Sequence, residues 1–236
     1  MTALVLLSAL AFGAPTAQEL LDATDDLFRG ESSTATMEMA VKTSRYERTM
    51  KMRTWARGTD KSLIVIDEPA KDKGMATLKV DDNIWNYMPK VDRTMKVPAG
   101  MMSGAWMGSH FSNDDLVKEN RLSEQYTWTT PTQNAGGNWV VVLTPKPDAP
   151  VVWGSLEVEV TDDRVPVAVR YKDEDGELAR TMTWEEPKEM AGRTLPSVMR
   201  LVPADKPDEY TVVRYLDLSF DADVPESMFT LQSLKK

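Results

Sequence analysis

Residues 36–57 read TMEMAVKTSRYERTMKMRTWAR, and the period is two. Met37, Met39 and Val41 alternate with Thr36, Glu38 and Lys42 around Ala40. Next, Tyr46, Met50, Met52 and Ala56 share one face of a long strand, and Glu47, Lys51 and Arg53 share the other. Half-buried antiparallel strands carry this pattern, because successive side chains point to opposite faces of a sheet. Upstream, residues 17–30 (AQELLDATDDLFRG) place apolar residues at 20, 21, 27 and 28. That is helical spacing, with Gly30 as a C-terminal stop.

Downstream the strands continue at short, regular intervals. They are expected over residues 62–67, 75–80, 84–88, 93–97, 126–130, 139–144, 156–161, 166–171, 178–185, 195–202 and 210–220. Turn chemistry separates them, as at Asp81-Asp82-Asn83, Gly136-Gly137, Asp162-Asp163 and Ala191-Gly192. Ser112, with Asp115 three positions on, is expected to cap a short helix ending near Asn120. There is no internal repeat and no linker of domain-boundary type. The expected fold is mainly β with an α+β character: one antiparallel sheet curled around a few helices, in a single domain over 18–236.

Residues Leu4 to Ala14, LVLLSALAFGA, form one apolar run with small residues near its end. It is short of the ~20 residues of a membrane span and fits the apolar region of a secretory leader over 1–17. No Lys or Arg precedes it. The alternative is a buried first turn of a helix.

The chain has 236 residues, one histidine, no cysteine and a formal net charge of −9. Disulfides, thiolate metal sites, cysteine nucleophiles and a cysteine-linked lipid anchor are therefore excluded. The acidic balance argues against nucleic acid as a partner. Enzymatic chemistry has little support. His110 has no metal-ligand partners in view and reads as structural or surface. The acidic runs Asp173-Glu174-Asp175 and Glu185-Glu186 read as solvated turns. No catalytic residue, metal or cofactor is assigned.

Binding is better supported. Of 15 methionines, Met37, Met39, Met50 and Met52 lie on the first two strands, and five fall between Met88 and Met107. Methionine is unbranched and polarizable, so it adapts to apolar ligands of variable shape. Composition alone favours an ordinary Met-rich core. The segment MMSGAWMGSHF, residues 101–111, shifts the balance. It sets Met101, Met102, Trp106, Met107 and Phe111 among Gly and Ser without a strong period, as a lid or a binding surface does. Seven basic residues and two acidic ones lie between Lys42 and Lys61. That stretch suits either a strand's solvent face or a membrane surface.

Several stretches in order resemble one family: Trp55-Ala56-Arg57, residues 62–69 (SLIVIDEP), residues 81–89 (DDNIWNYMP), residues 111–116 (FSNDDL), residues 193–196 (RTLP) and residues 225–231 (PESMFTL). Together they are similar to the outer-membrane lipoprotein-sorting proteins, the LolA/LolB-like periplasmic carriers. The resemblance implies an incomplete antiparallel β-barrel with a helical lid and a hydrophobic cavity for acyl chains. Trp55, Trp85 and Tyr87 match aromatic positions of the family and are expected at the cavity. Arg57 matches an arginine that controls lid closure, although the family's Arg-Pro step is Arg57-Gly58 here.

The absent cysteine resembles the unanchored carrier branch, expected in the periplasm. The implied partners are a lipoprotein or lipid-like ligand, an inner-membrane exporter of ABC or RND type and an outer-membrane acceptor. A sensor module recognising a lipidated or misfolded polypeptide is the alternative.

Overall fold

The structure, a computed structural model, describes residues 14–28, 30–118, 122–149 and 151–235. Of the expected leader, residues 1–13 lie outside the described residues, as does Asn120. Helix α1 (Ala17–Asp26) starts from a reciprocal cap. Thr16 Oγ1 accepts from Glu19 N at 3.2 Å, and Glu19 Oε2 accepts from Thr16 N at 2.9 Å. Both satisfy helix-end donors that otherwise lack a partner.

Six strands follow as a meander: β1 (Ser32–Lys42), β2 (Glu47–Arg57), β3 (Lys61–Glu68), β4 (Ala76–Val80), β5 (Asn83–Met88) and β6 (Arg93–Lys96). After two short helices, α2 (Asn113–Lys118) and α3 (Leu122–Gln125), come β7 (Tyr126–Trp128), β8 (Thr132–Gln133), β9 (Trp139–Pro145), β10 (Ser155–Val160), β11 (Pro166–Lys172), β12 (Leu178–Met190), β13 (Arg193–Pro203) and β14 (Tyr210–Phe220). The strands form one antiparallel sheet, ordered β6-β5-β4-β3-β2-β1-β14-β13-β12-β11-β10-β9-β7, with β8 paired to β9. The sheet is not closed: β6 and β7 end it. It is an incomplete barrel, with β1 and β14 joining its two arms.

Register sets what each face carries. Met37 pairs with Met52 and Met39 with Met50. Across the other edge of β1, Met37 pairs with Tyr215 and Met39 with Val213. A bulge after Thr36 skips Leu216, which is left 43% exposed. One extra residue reverses the alternation of β14, so Leu218 and Tyr215 both reach the interior despite opposite parity. On the opposite face, Trp55, Leu63, Leu78 and Trp85 form one row across β2, β3, β4 and β5.

Inside the curl, α1 buries Ala17, Leu20 and Leu21 against Val141, Leu143, Leu156, Val158, Val160 and Val169. Each such leucine contributes roughly 1.5–3 kcal/mol. The methionine strands form a second cluster: Met39, Met50 and Met52 pack with Ile66, Trp106, Phe111, Met182, Leu201 and Val213. On the outer face, Val224, Phe229 and Leu234 of the C-terminal segment cover Leu63, Ala76 and Leu78.

Candidate functional site: a roofed apolar cavity

A cavity of about 210 Å³ lies between the inner face of β1–β4 and the segment over residues 106–116. Met37, Met39, Met52, Ile64, Met199 and Val213 line it, and Trp106, Phe111 and Leu116 roof it. A second space of about 190 Å³ adjoins it toward α1, α3, Tyr171 and Trp184. Phe28, Met37, Met199 and Tyr215 line both. The Phe28 and Tyr215 rings stack there, with centroids 4.7 Å apart and planes 6° off parallel.

The roof is held by its own backbone and by four contacts around the rim. Trp106 N donates to Phe111 O at 2.7 Å, and Asn113 N donates to Gly104 O at 3.0 Å. Met107 turns the chain at φ 49 and Gly108 at φ 68. A side chain at 108 would combine that conformation with a clash, since its Cβ would lie 2.8 Å from Tyr46 Oη. Around the rim, Tyr46 Oη donates to Gly108 O. Trp106 Nε1 donates to Thr77 Oγ1 on β4 at 3.0 Å. His110 N donates to Thr211 Oγ1 on β14 at 2.9 Å. Arg180 on β12 grips Asp115 of α2. The His110 ring is also engaged, with Nε2 3.3 Å from Glu209 Oε2.

The expected cap of α2 is present. Asp115 N donates to Ser112 Oγ at 3.1 Å, and Asp115 Oδ2 accepts from Ser112 N at 2.7 Å. Burial alone would raise the Asp115 carboxyl, but the hydrogen bonds and charge of Arg180, with those of Ser112, hold it below the usual aspartate range. Nearby, burial first and then the charges of Asp114 and Asp115 push the Tyr126 phenol up to about 12.

The structure divides the residues singled out from sequence. It brings Met37, Met39, Met52, Trp106 and Phe111 to one wall and roof. Met50 and Met107 pack behind them in the same cluster. Met101 is 63% exposed and Met102 is half-buried. Their carbonyls hold the roof instead, accepting from Asn113 Nδ2 at 3.3 Å and Asp114 N at 2.8 Å.

Trp55, Trp85 and Tyr87 stand on the outer face, under the C-terminal segment and away from the cavity. Strand parity is the reason: 55 alternates with 52, 54 and 56, and β5 follows β2 in register through Leu63 and Leu78. Arg57 shares that outer face. Its Nη1 donates to Val224 O at 3.2 Å, and its Nε lies 3.9 Å from Glu226 Oε2. It holds the C-terminal segment, whereas the ion pair that reaches the roof helix is Arg180–Asp115.

Sequence reading did not select Phe28, Ile64, Met199, Val213 or Tyr215 as lining residues. Ile64 to Tyr215 were available from strand alternation once the pairing of β1 with β14 was known.

Solved structures share this fold. A domain described as a candidate outer membrane lipoprotein-sorting protein, from Vibrio parahaemolyticus, is 23% identical, with TM-score 0.76 and coverage of 93% of this chain and 97% of that one. A DUF1329 family protein from Desulfovibrio piger is 20% identical, with TM-score 0.80 and coverage of 92% and 96%. A LolA superfamily protein from Nitrosomonas europaea is 22% identical, with TM-score 0.76 and coverage of 93% and 100%. The fold is thus LolA-like. No curated protein matches the chain. A family model described as "Uncharacterized protein" matches residues 58–236. The chain belongs to that family.

In this uncharacterized protein family the matched region takes in β3 through the C-terminal segment and leaves out the methionine strands β1 and β2. The match therefore covers the roof, the Asp115–Arg180 pair and the outer-face cover, but only part of the cavity wall. Among the described residues, no helix is long and apolar enough to cross a membrane, and no group of three or more His, Asp or Glu is placed to hold a metal ion.

Proposed function

We propose that this protein is a periplasmic carrier that takes the acyl chains of a lipoprotein, or another lipid-like ligand, into its cavity. It would shuttle that ligand from an inner-membrane exporter of ABC or RND type to an outer-membrane acceptor. The observation that carries this reading is the wall of Met37, Met39 and Met52 under the roof of Trp106 and Phe111. Each methylene withdrawn from water there contributes about 0.8 kcal/mol. Methionine walls repack at low cost, which suits a ligand that must be released as well as held.

The test is lipid extraction and mass spectrometry on protein purified from a membrane-containing host, with titration of a fluorescent fatty-acid analogue. Co-purified lipid and saturable binding are expected. Protein that returns empty and ignores the analogue would overturn the reading.

A further inference from the structure

The first arm of the sheet is electrically polarised along its strands. In an antiparallel meander, alternate turns lie at the same end. At one end the β2–β3 turn (residues 58–60) and the β4–β5 turn (residues 81–82) carry Asp60, Asp81 and Asp82 and no cation. At the other end the β1–β2, β3–β4 and β5–β6 connections carry Arg45, Lys71, Lys73 and Lys90, and Arg93 opens β6. The β3–β4 and β5–β6 tips lie side by side, since a Cβ added at Gly74 would sit 3.5 Å from Pro89 Cγ. All five cations are exposed, and so is Val91, at 66%, between Lys90 and Arg93.

Along the strands, cations are answered within the chain: Lys51 by Glu68, Arg53 by Asp67, and Arg57 and Lys61 by Glu226. At the two adjoining tips they are not. Among the described residues, the side chains of Lys71, Lys73, Lys90 and Arg93 enter no ion pair or hydrogen bond. The two acids of these tips are withdrawn instead. Asp92 accepts from Lys235 Nζ at 2.8 Å and from Tyr87 Oη at 3.1 Å, and Asp72 Oδ2 is buried. In a chain of net charge −9, this is a local basic surface with an apolar residue at its apex. Interfacial binding to anionic lipid draws on those two features, cations near the headgroups and apolar area at the acyl boundary.

We infer that the β3–β4 and β5–β6 tips dock on the surface of an anionic lipid bilayer. Lys71, Lys73, Lys90 and Arg93 meet lipid phosphates, and Val91 enters the headgroup boundary. The surface is confined to the outer part of the first arm. Toward the seam, Ser44 N donates to Glu209 Oε1 at 2.8 Å, and residues 173–177 and 205–209 of the second arm hold seven acids. Repulsion from those acids sets the molecule down on its β3–β6 side. This inference stands apart from the carrier reading, since it does not require the cavity to hold a ligand.

The experiment is co-sedimentation of the full chain with vesicles of phosphatidylcholine, alone or mixed with phosphatidylglycerol. The mixed vesicles should bind about tenfold more tightly at roughly 0.1 M salt and lose most of that preference at roughly 0.5 M. A cation near an anionic surface is worth about fivefold. The combined variant Lys71→Gln, Lys73→Gln, Lys90→Gln should therefore lose about tenfold or more, and Val91→Asp about fivefold. A control with the same charge change on the second arm, Lys172→Gln, Lys188→Gln, Lys206→Gln, should stay within about twofold. Circular dichroism checks that all variants fold. Absence of binding, equal binding to neutral vesicles, a folded tip variant that binds like the parent chain, or a control that falls as far each overturns the assignment. Capture by polyglutamate without vesicle binding gives the tips to an acidic polypeptide and overturns it too. Titration of a fatty-acid analogue tests the carrier reading separately.

Discussion

Arg180 and Asp115 meet as a two-pronged ion pair across 65 positions of sequence, with Nη1 2.8 Å from Oδ2 and Nη2 2.6 Å from Oδ1. The guanidinium is also stacked, 4.2 Å from the Tyr171 ring centroid and 4.5 Å from that of Trp153. One residue of β12 therefore fixes the helix that closes the roof. The pair is nearly buried, and removing one partner strands the other charge, at a cost of about 3–5 kcal/mol. Arg180→Met is expected to lower the unfolding free energy from urea titration by that amount and to raise protease sensitivity within residues 101–118.

The same pair sets an acid dependence. The Asp115 carboxyl titrates lower in the folded chain than the ordinary aspartate value of about 3.9. The unfolded chain thus binds the proton first as pH falls. The contribution is complete above the unfolded value and disappears as pH drops through the folded one. In urea unfolding from pH 6 down to pH 2, Asp115→Asn should lose less stability below about pH 4 than the parent chain does. Parallel curves would show that the pair carries none of the acid dependence.

Trp106 and Thr77 supply an interaction that can be isolated. A double-mutant cycle with Trp106→Phe and Thr77→Val should return a coupling of about 1 kcal/mol, the net value of a hydrogen bond. Thr77 Oγ1 also donates to Asn86 Oδ1 at 2.7 Å, and Trp106→Phe also removes buried volume, so the cycle and not either single variant isolates the bond. Equilibrium denaturation of the four proteins measures it.

Met37 lines both cavity spaces. Met37→Trp should fill the junction and weaken binding of a fluorescent fatty-acid analogue by about tenfold or more. Because the added volume enters existing space, the stability loss should stay below the roughly 1–3 kcal/mol of overpacking a full core. Unchanged binding in a folded variant would remove Met37 from the site.

The outer-face aromatics give the converse prediction. Phe229 is 7% exposed over the row that runs from Trp55 to Trp85. Phe229→Ala should cost about 3–5 kcal/mol and increase binding of a dye for exposed apolar surface. Trp85→Leu should leave fatty-acid analogue affinity within about twofold. A larger loss would show that the outer face takes part in binding.

Much of the sheet was legible because period-two patterning is local. The expected strands around Met37 to Val41 and Tyr46 to Ala56 correspond to β1 and β2, with Tyr46 one residue ahead of β2, and Asp81-Asp82 does turn the chain from β4 into β5. The cavity was legible only in part. Met37, Met39 and Met52 share a strand face that sequence can assign, but Trp55 was placed by resemblance against its own parity. Trp85 and Tyr87 required the register through Leu63 and Leu78, which is tertiary information. Leu218 and Tyr215 both face inward because a bulge intervenes, and no composition signal marks it. The role of Arg180 depended on a pairing 65 positions away, which neither periodicity nor capping reveals.

The pairing of β1 with β14 has a consequence in time. Ser33 and Phe220 are partners, so the seam between the two arms joins segments almost a full chain apart. Contacts of such sequence separation form late, after much loop entropy has been lost. The first six strands can pair with their neighbours as they are made. Met39, however, gains Val213 only when the last strand arrives. The cavity wall is therefore complete only once β14 is in place, and a chain lacking β14 would present its methionine strands to solvent as an open apolar edge.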